Sequence, residues 1–173
     1  MKNNKIVFSA LITAFLAVSA FIKIPLEPVP LTLQPFVVLL MPMIFGIKPA
    51  FIGGLVYLIL GLIGLPIFAH GGGIGYVLQP TFGYLVGFVL ASIPIGYFAK
   101  YKKLFFYFLG GAVGLIVIYG LGVSYLYLNL NYIQHKAIAF KKILYIGFFT
   151  PLPFDIIKLI VASVIAYKVK DRF

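Results

Sequence analysis

The sequence has no cysteine in its 173 residues, which excludes disulfides, thiolate metal sites and cysteine nucleophiles. Carboxylates are almost as scarce: Glu27, Asp155 and Asp171 are the whole set. They form no acidic cluster and argue against a proton pump built on a carboxylate relay. No G-x-x-x-x-G-K-[ST] segment is present, so the chain does not hold ATP in the P-loop manner. Neither an H-E-x-x-H nor a G-x-S-x-G segment occurs. Charge as a whole is thin, 10% of residues, against about 25% in an ordinary soluble domain.

What is abundant is apolar side chain, 63% of the sequence, and it comes in runs. Several runs are long enough to cross about 30 Å of hydrocarbon at about 1.5 Å per residue. Six candidate spans follow, at residues 6–22, 36–47, 49–65, 80–99, 104–126 and 143–167, within a single membrane domain covering 1–173. The second is short and broken by Pro42. The connection before it holds Pro25, Pro28, Pro30 and Pro35, a density that stops helices and favours stiff, extended chain. A glycine-rich connection, 66–79, precedes the fourth span, and a more polar one, 129–142, precedes the last. The expected fold class is all-α integral membrane, a six-transmembrane-helix bundle. Lys2, Lys5, an apolar core and then Val18, Ser19 and Ala20 have the form of a secretory signal. The apolar run continues through Phe21 and Ile22, which favours a retained helix.

The formal net charge is +11. In a soluble protein this would suggest nucleic acid as a partner. Here the lysines sit at the ends of apolar runs, where they set topology and meet the headgroups of membrane lipid, so no nucleic acid is expected. Six spans put both termini on one side, with Lys2, Lys5, Lys48, Lys100, Lys102, Lys103, Lys168, Lys170 and Arg172. The other side holds Lys23, Lys136, Lys141 and Lys142. The excess assigns both termini to the cytoplasm. It also brings the proline, glycine and 129–142 connections together on the outer face.

The sharpest local feature is PLPFDIIK at 151–158. On a helix, Asp155 and Lys158 lie three residues apart and share a face. Ionisable side chains at membrane depth mark, by default, a site facing the bundle interior. A structural ion pair, or a Lys158 that snorkels to a headgroup, are the plainer alternatives. The pair sets an acceptor beside a donor, which suits a small polar heterocycle such as a cyclic urea or amide. It offers too few positioned groups for catalysis. The glycine loop GLPIFAHGGGIGY, 64–76, lacks the strand and helix context of a nucleotide site. It reads as a loop that brings bare backbone close to a ligand or a neighbouring helix. His70 is a polar loop residue rather than a metal ligand, because His135 is distant in sequence and no carboxylate is near either; no metal or cofactor is expected. Ala10, Ala14 and Ala17 fall on one face of the first span. Small residues let helices approach closely, either within the bundle or against a partner's helix. Gly110 with Gly114, and Gly54 with Gly61, read as intramolecular packing rows.

Four blocks taken together carry a family likeness: PLTLQPF at 30–36, YLILGLIGLPIFA at 57–69, PTFGYLVGF at 80–88 and DIIK at 155–158. In order and spacing they resemble the BioY family, the substrate-binding subunits of energy-coupling-factor biotin transporters. The resemblance implies a six-helix fold with an outward-facing ligand pocket in a bacterial plasma membrane. It implies biotin as ligand, and docking to a transmembrane coupling protein and two ATPase subunits. By motif position, Asp155 and Lys158 would hold biotin's ureido ring. Tyr84 and the end of the glycine loop would lie near the pocket, and Thr32 and Gln34 would belong to its lid. Ala10, Ala14 and Ala17 resemble the small-residue face such subunits turn to the coupling protein. The family's fourth helix usually opens Gly-Pro-Thr-Gly-Gly-Tyr, whereas this chain has Gln79, Pro80, Thr81, Phe82, Gly83 and Tyr84. Gln79, Tyr76 and His70 are therefore all open as partners for biotin's carboxylate tail. The readings set beside it are the same subunit type for another vitamin, a small intramembrane enzyme, and a structural membrane partner.

Overall fold

The computed structural model describes residues 2–169, so Lys170 and Arg172, counted above on the cytoplasmic side, lie outside the described residues. Helix α1, Lys2–Phe21, leads into a two-stranded antiparallel hairpin, β1 (Lys23–Ile24) against β2 (Leu31–Thr32). Helices α2 (Gln34–Phe45) and α3 (Ile47–Leu62) follow, then a short 3₁₀ turn, Ile74–Leu78. Helices α4 (Phe82–Ala99) and α5 (Leu104–Leu128) come next, and α5 runs on through a π turn, Asn129–Ile133. The last helix is α6 (Phe140–Leu144), a π turn (Tyr145–Phe149) and α7 (Leu152–Val169). Among the described residues three helices are long and apolar enough to cross a membrane: Phe82–Ala99, Leu104–Ile133 and Phe140–Val169. Lys5–Phe21, Gln34–Phe45 and Ile47–Leu62 are shorter apolar helices.

The shortest of these, α2, lies innermost. It contacts α1, α3, α4, α5 and α7, and a helix that is apolar all round is one that is buried all round. Pro42 does not break it: the helix continues to Phe45 with Pro42 buried inside it. The carbonyl left without a helical partner is tolerated where other helices surround it. The chain then turns at Gly46, whose φ of +81° favours glycine. Outside the bundle the surface is apolar too, with Phe105 69% and Ile116 70% exposed. Such faces are suited to lipid rather than water.

Close approach between helices is built on glycine. On α5, a Cβ at Gly114 would come within 2.5 Å of Ile95, and one at Gly110 within 2.8 Å of Phe98. Gly54 faces Val89, and Gly61 lies under the Phe68 ring, so both rows serve intramolecular packing. Helix α1 meets α3 at Gly53, where a Cβ would stand 2.7 Å from the Ser9 carbonyl and where Thr13 donates to the Gly53 carbonyl at 2.8 Å. Ala10 and Ala14 are exposed on the outer side of α1, and Ala17 is half-buried.

Two connections differ from the sequence expectation. The proline-rich segment is not uniformly extended, since it folds back to pair Lys23 with Thr32 and Ile24 with Leu31. The polar stretch 129–142 is largely helical at both ends. Its polar side chains take up backbone groups: Asn129 donates to the Leu78 carbonyl at the end of the 3₁₀ turn at 2.8 Å, and Asn131 both accepts from the Ile138 N–H at 2.6 Å and donates to the Ile138 carbonyl at 3.2 Å in the connection before α6. Helix ends leave orphan backbone groups that such side chains can take up.

Candidate ligand-binding site

The site begins with a proline. Pro151 has no N–H to give to the Gly147 carbonyl one turn earlier. That freed carbonyl instead accepts from the Tyr84 hydroxyl at 2.8 Å. The same disruption appears as the π turn, with the Thr150 N–H bonded to the Tyr145 carbonyl. Tyr84 itself lies in a notch opened by Gly122, where a Cβ would meet its ring at 2.3 Å. The bend is thus fixed from α4, and the next turn of α7 turns Asp155 inward, 4% exposed.

Asp155 is held on both oxygens. Tyr119 of α5 donates to Oδ2 at 2.7 Å, and Lys158 donates to Oδ1 at 2.7 Å. Lys158 Nζ also donates to the Thr32 carbonyl at 2.7 Å, which ties α7 to the hairpin. An ionised carboxylate has about four acceptor positions and an ammonium three donors. Two of the former and one of the latter remain for a ligand.

These groups line a cavity with about 560 Å³ of empty space, its mouth included. Its roof is Val29, Pro30, Leu31 and Thr32; its walls include Leu85, Phe88 and Ile118; Ala69, Tyr76 and Thr81 close it at the loop side. Gln34 lines it and is anchored beneath by donating to the Tyr57 hydroxyl at 2.8 Å. The hairpin and the glycine loop are joined across the mouth by a hydrogen bond from Lys23 to the Ala69 carbonyl.

Of the residues singled out from sequence, Asp155, Lys158, Tyr84, Tyr76, Thr32 and Gln34 line one cavity. Gln79 and His70 do not: both are exposed and absent from the lining. The imidazole is nonetheless partly shielded, and that desolvation and the nearby Lys23 lower the His70 pKa, with Glu27 opposing them more weakly. Burial also pushes the Tyr76 hydroxyl pKa up, so that it stays protonated. Phe82, which stands where the family motif has glycine, turns against Tyr125 with ring centroids 5.8 Å apart and leaves the lining free. Tyr119 and Thr81 were not singled out from sequence. Tyr119 is one of 12 tyrosines, and its only signal is the rule that a buried tyrosine hydroxyl in an apolar span needs a partner. Among the described residues no group of three or more potential metal ligands occurs.

The comparisons with known proteins converge. A probable biotin transporter BioY of Lysinibacillus sphaericus is 42% identical, over 97% of this chain and 87% of that protein. The biotin transporter BioY of Thermotoga maritima is 40% identical over 96% of each. A 2.1 Å crystal structure of the S-component for biotin from an ECF-type ABC transporter superposes with a TM-score of 0.85 at 27% identity, covering 98% of this chain and 92% of the other. The BioY family model matches residues 1–173, and the chain belongs to the BioY family.

Proposed function

We propose that this chain is the biotin-capturing S-component of an energy-coupling-factor importer, a multi-pass transport subunit of a bacterial plasma membrane rather than an enzyme. The observation that carries the reading is the Asp155, Lys158 and Tyr119 cluster at the wall of one cavity, in a chain of the BioY family. The free acceptor positions of Asp155 suit the N–H groups of a ureido ring. The free proton of Lys158 suits its carbonyl. The apolar walls suit the rest of the molecule.

In this reading the three long helices and the three shorter apolar ones are six spans. Both termini are cytoplasmic, and the hairpin and glycine loop roof the cavity on the outer face. Entry requires the Thr32 roof to part from Lys158. Energy comes from partners, a transmembrane coupling protein and two ATPase subunits, because the chain has no P-loop. The exposed Ala10 and Ala14 side of α1 is the face offered to the coupling protein, with Ala17 at its edge. Small residues favour such helix contacts in lipid.

The test is equilibrium binding of a panel of vitamins to the detergent-purified chain. Biotin binding far more tightly than the others is the expected result. Preference for a different vitamin would keep the subunit type and reject its ligand.

A further inference from the structure

This inference rests on the biotin reading, because it needs an anionic ligand, and it concerns how that ligand arrives rather than what holds it. On the proposed topology the outer face carries Lys23, Lys136, Lys141 and Lys142 against one exposed carboxylate, Glu27. Positive charge is disfavoured in short loops on that side of a membrane. Three of these lysines nonetheless crowd into residues 136–142. Their side chains are exposed, and none makes a hydrogen bond or an ion pair among the described residues. Like charges this close repel one another, and neither topology nor packing gives a return for it.

The fold fixes where these charges stand. Asn129 donates to the Leu78 carbonyl, which seats the connection before α6 on the 3₁₀ turn whose Tyr76 closes the ligand cavity. From Lys142 the chain runs through α6 and its π turn to Pro151 in the cavity wall, about 14 Å at about 1.5 Å per residue. Across the mouth, Lys23 is tied to the Ala69 carbonyl. Cations therefore flank the opening on both sides. Tyr132, Phe140 and Tyr145 are exposed beside the lysines, and such aromatics mark the boundary between membrane and water. The ammonium groups are thus at the water side of that boundary. The reach of a charge is about 30 Å in 0.01 M salt and about 3 Å in 1 M, so the three lysines act on the mouth in the first and not in the second. Charge of one sign around a cleft raises the local concentration of an opposite ion and speeds its association by about 10- to 1,000-fold.

We propose that Lys136, Lys141 and Lys142 form an electrostatic funnel that speeds the approach of the anionic ligand and does not hold it once bound. Rapid-mixing association of biotin with the chain in phosphatidylcholine nanodiscs tests it, from about 0.01 M to 1 M salt. The wild-type association rate should fall at least about tenfold across that range. Replacing all three by glutamine (Lys136→Gln, Lys141→Gln, Lys142→Gln) should flatten the dependence. Replacing them by glutamate (Lys136→Glu, Lys141→Glu, Lys142→Glu) should reverse it, so that biotin associates faster at high salt. Dissociation rates and thermal midpoints should stay those of the wild type, and the glutamine set decides the matter if the glutamate set does not fold. A matched set at the other end of the bundle, Lys48→Gln, Lys100→Gln and Lys103→Gln, should keep the wild-type dependence. Equal flattening by that set would overturn the funnel, as would variants of 136–142 that change dissociation alone. A wild type that binds biotin at a rate indifferent to salt rejects the funnel only, whereas one that binds no biotin rejects the functional reading with it.

Discussion

At the level of single side chains, the site depends on an accounting of donors and acceptors around Asp155. Tyr119 removes one acceptor position and Lys158 another, which both stabilises the buried carboxylate and aims what remains. Tyr119→Phe should therefore weaken biotin binding by about 1.5 kcal/mol, near tenfold, the scale of a hydrogen bond to a charged group. Unchanged affinity in titration calorimetry would remove Tyr119 from the site. Asp155→Asn should cost at least as much, because it removes the charge as well as an acceptor. His70 gives the opposite expectation. Its pKa lies below the ordinary histidine value, so it is neutral above about pH 6.5. His70→Asn should leave biotin affinity unaltered between about pH 6.5 and 8, and a pH-dependent loss in that window would return His70 to the site. Asp155 and Lys158 were legible from sequence because charge inside an apolar run is rare. Tyr119 was not, since nothing in one sequence distinguishes it from the tyrosines that merely fill space.

At the scale of helices, the apolar runs announced where elements lie but not how the last one bends. PLPFDIIK pointed to a helix with two prolines near its start. The consequence, a freed Gly147 carbonyl taken by Tyr84 from a helix 63 residues away in sequence, depends on tertiary neighbours. Likewise, the polar 129–142 stretch reads as loop because asparagines favour turns. In the fold α5 instead runs on into a π turn there, and the asparagines take up backbone groups of other segments, Asn129 the Leu78 carbonyl and Asn131 the Ile138 N–H. The glycines of α5 provide a paired test. Gly122→Ala drives a methyl into the Tyr84 ring, 2.3 Å from the added carbon, and should lower stability by about 1–3 kcal/mol, the range for an overpacked core. It should weaken biotin binding too, since Tyr84 fixes the bend above Asp155. Gly120 has open space where its Cβ would lie. Gly120→Ala should leave the thermal midpoint unchanged or slightly higher, because alanine is the better helix former. Equal effects of the two substitutions would show that the Tyr84 notch is not what matters.

At the scale of the molecule, the central position of α2 explains why the shortest apolar helix belongs to the bundle. It also explains why its sequence shows no polar face. Orientation was read from charge, and the natural absence of cysteine makes it directly measurable. Single cysteines introduced at Glu27 and His135 should react with a membrane-impermeant maleimide from outside intact cells, and cysteines at Lys48 and Lys102 should not; the reverse pattern would invert the topology. On the proposed reading, the convergence of hairpin, glycine loop and Asp155 on the outer face is what makes this fold a capture device. The most direct test of that account is equilibrium binding of biotin to the purified chain with Asp155→Ala beside it. Tight binding by the wild type, lost in a variant that remains folded, is the expected result. Equal binding by both proteins, or none by a well-folded wild type, would contradict it.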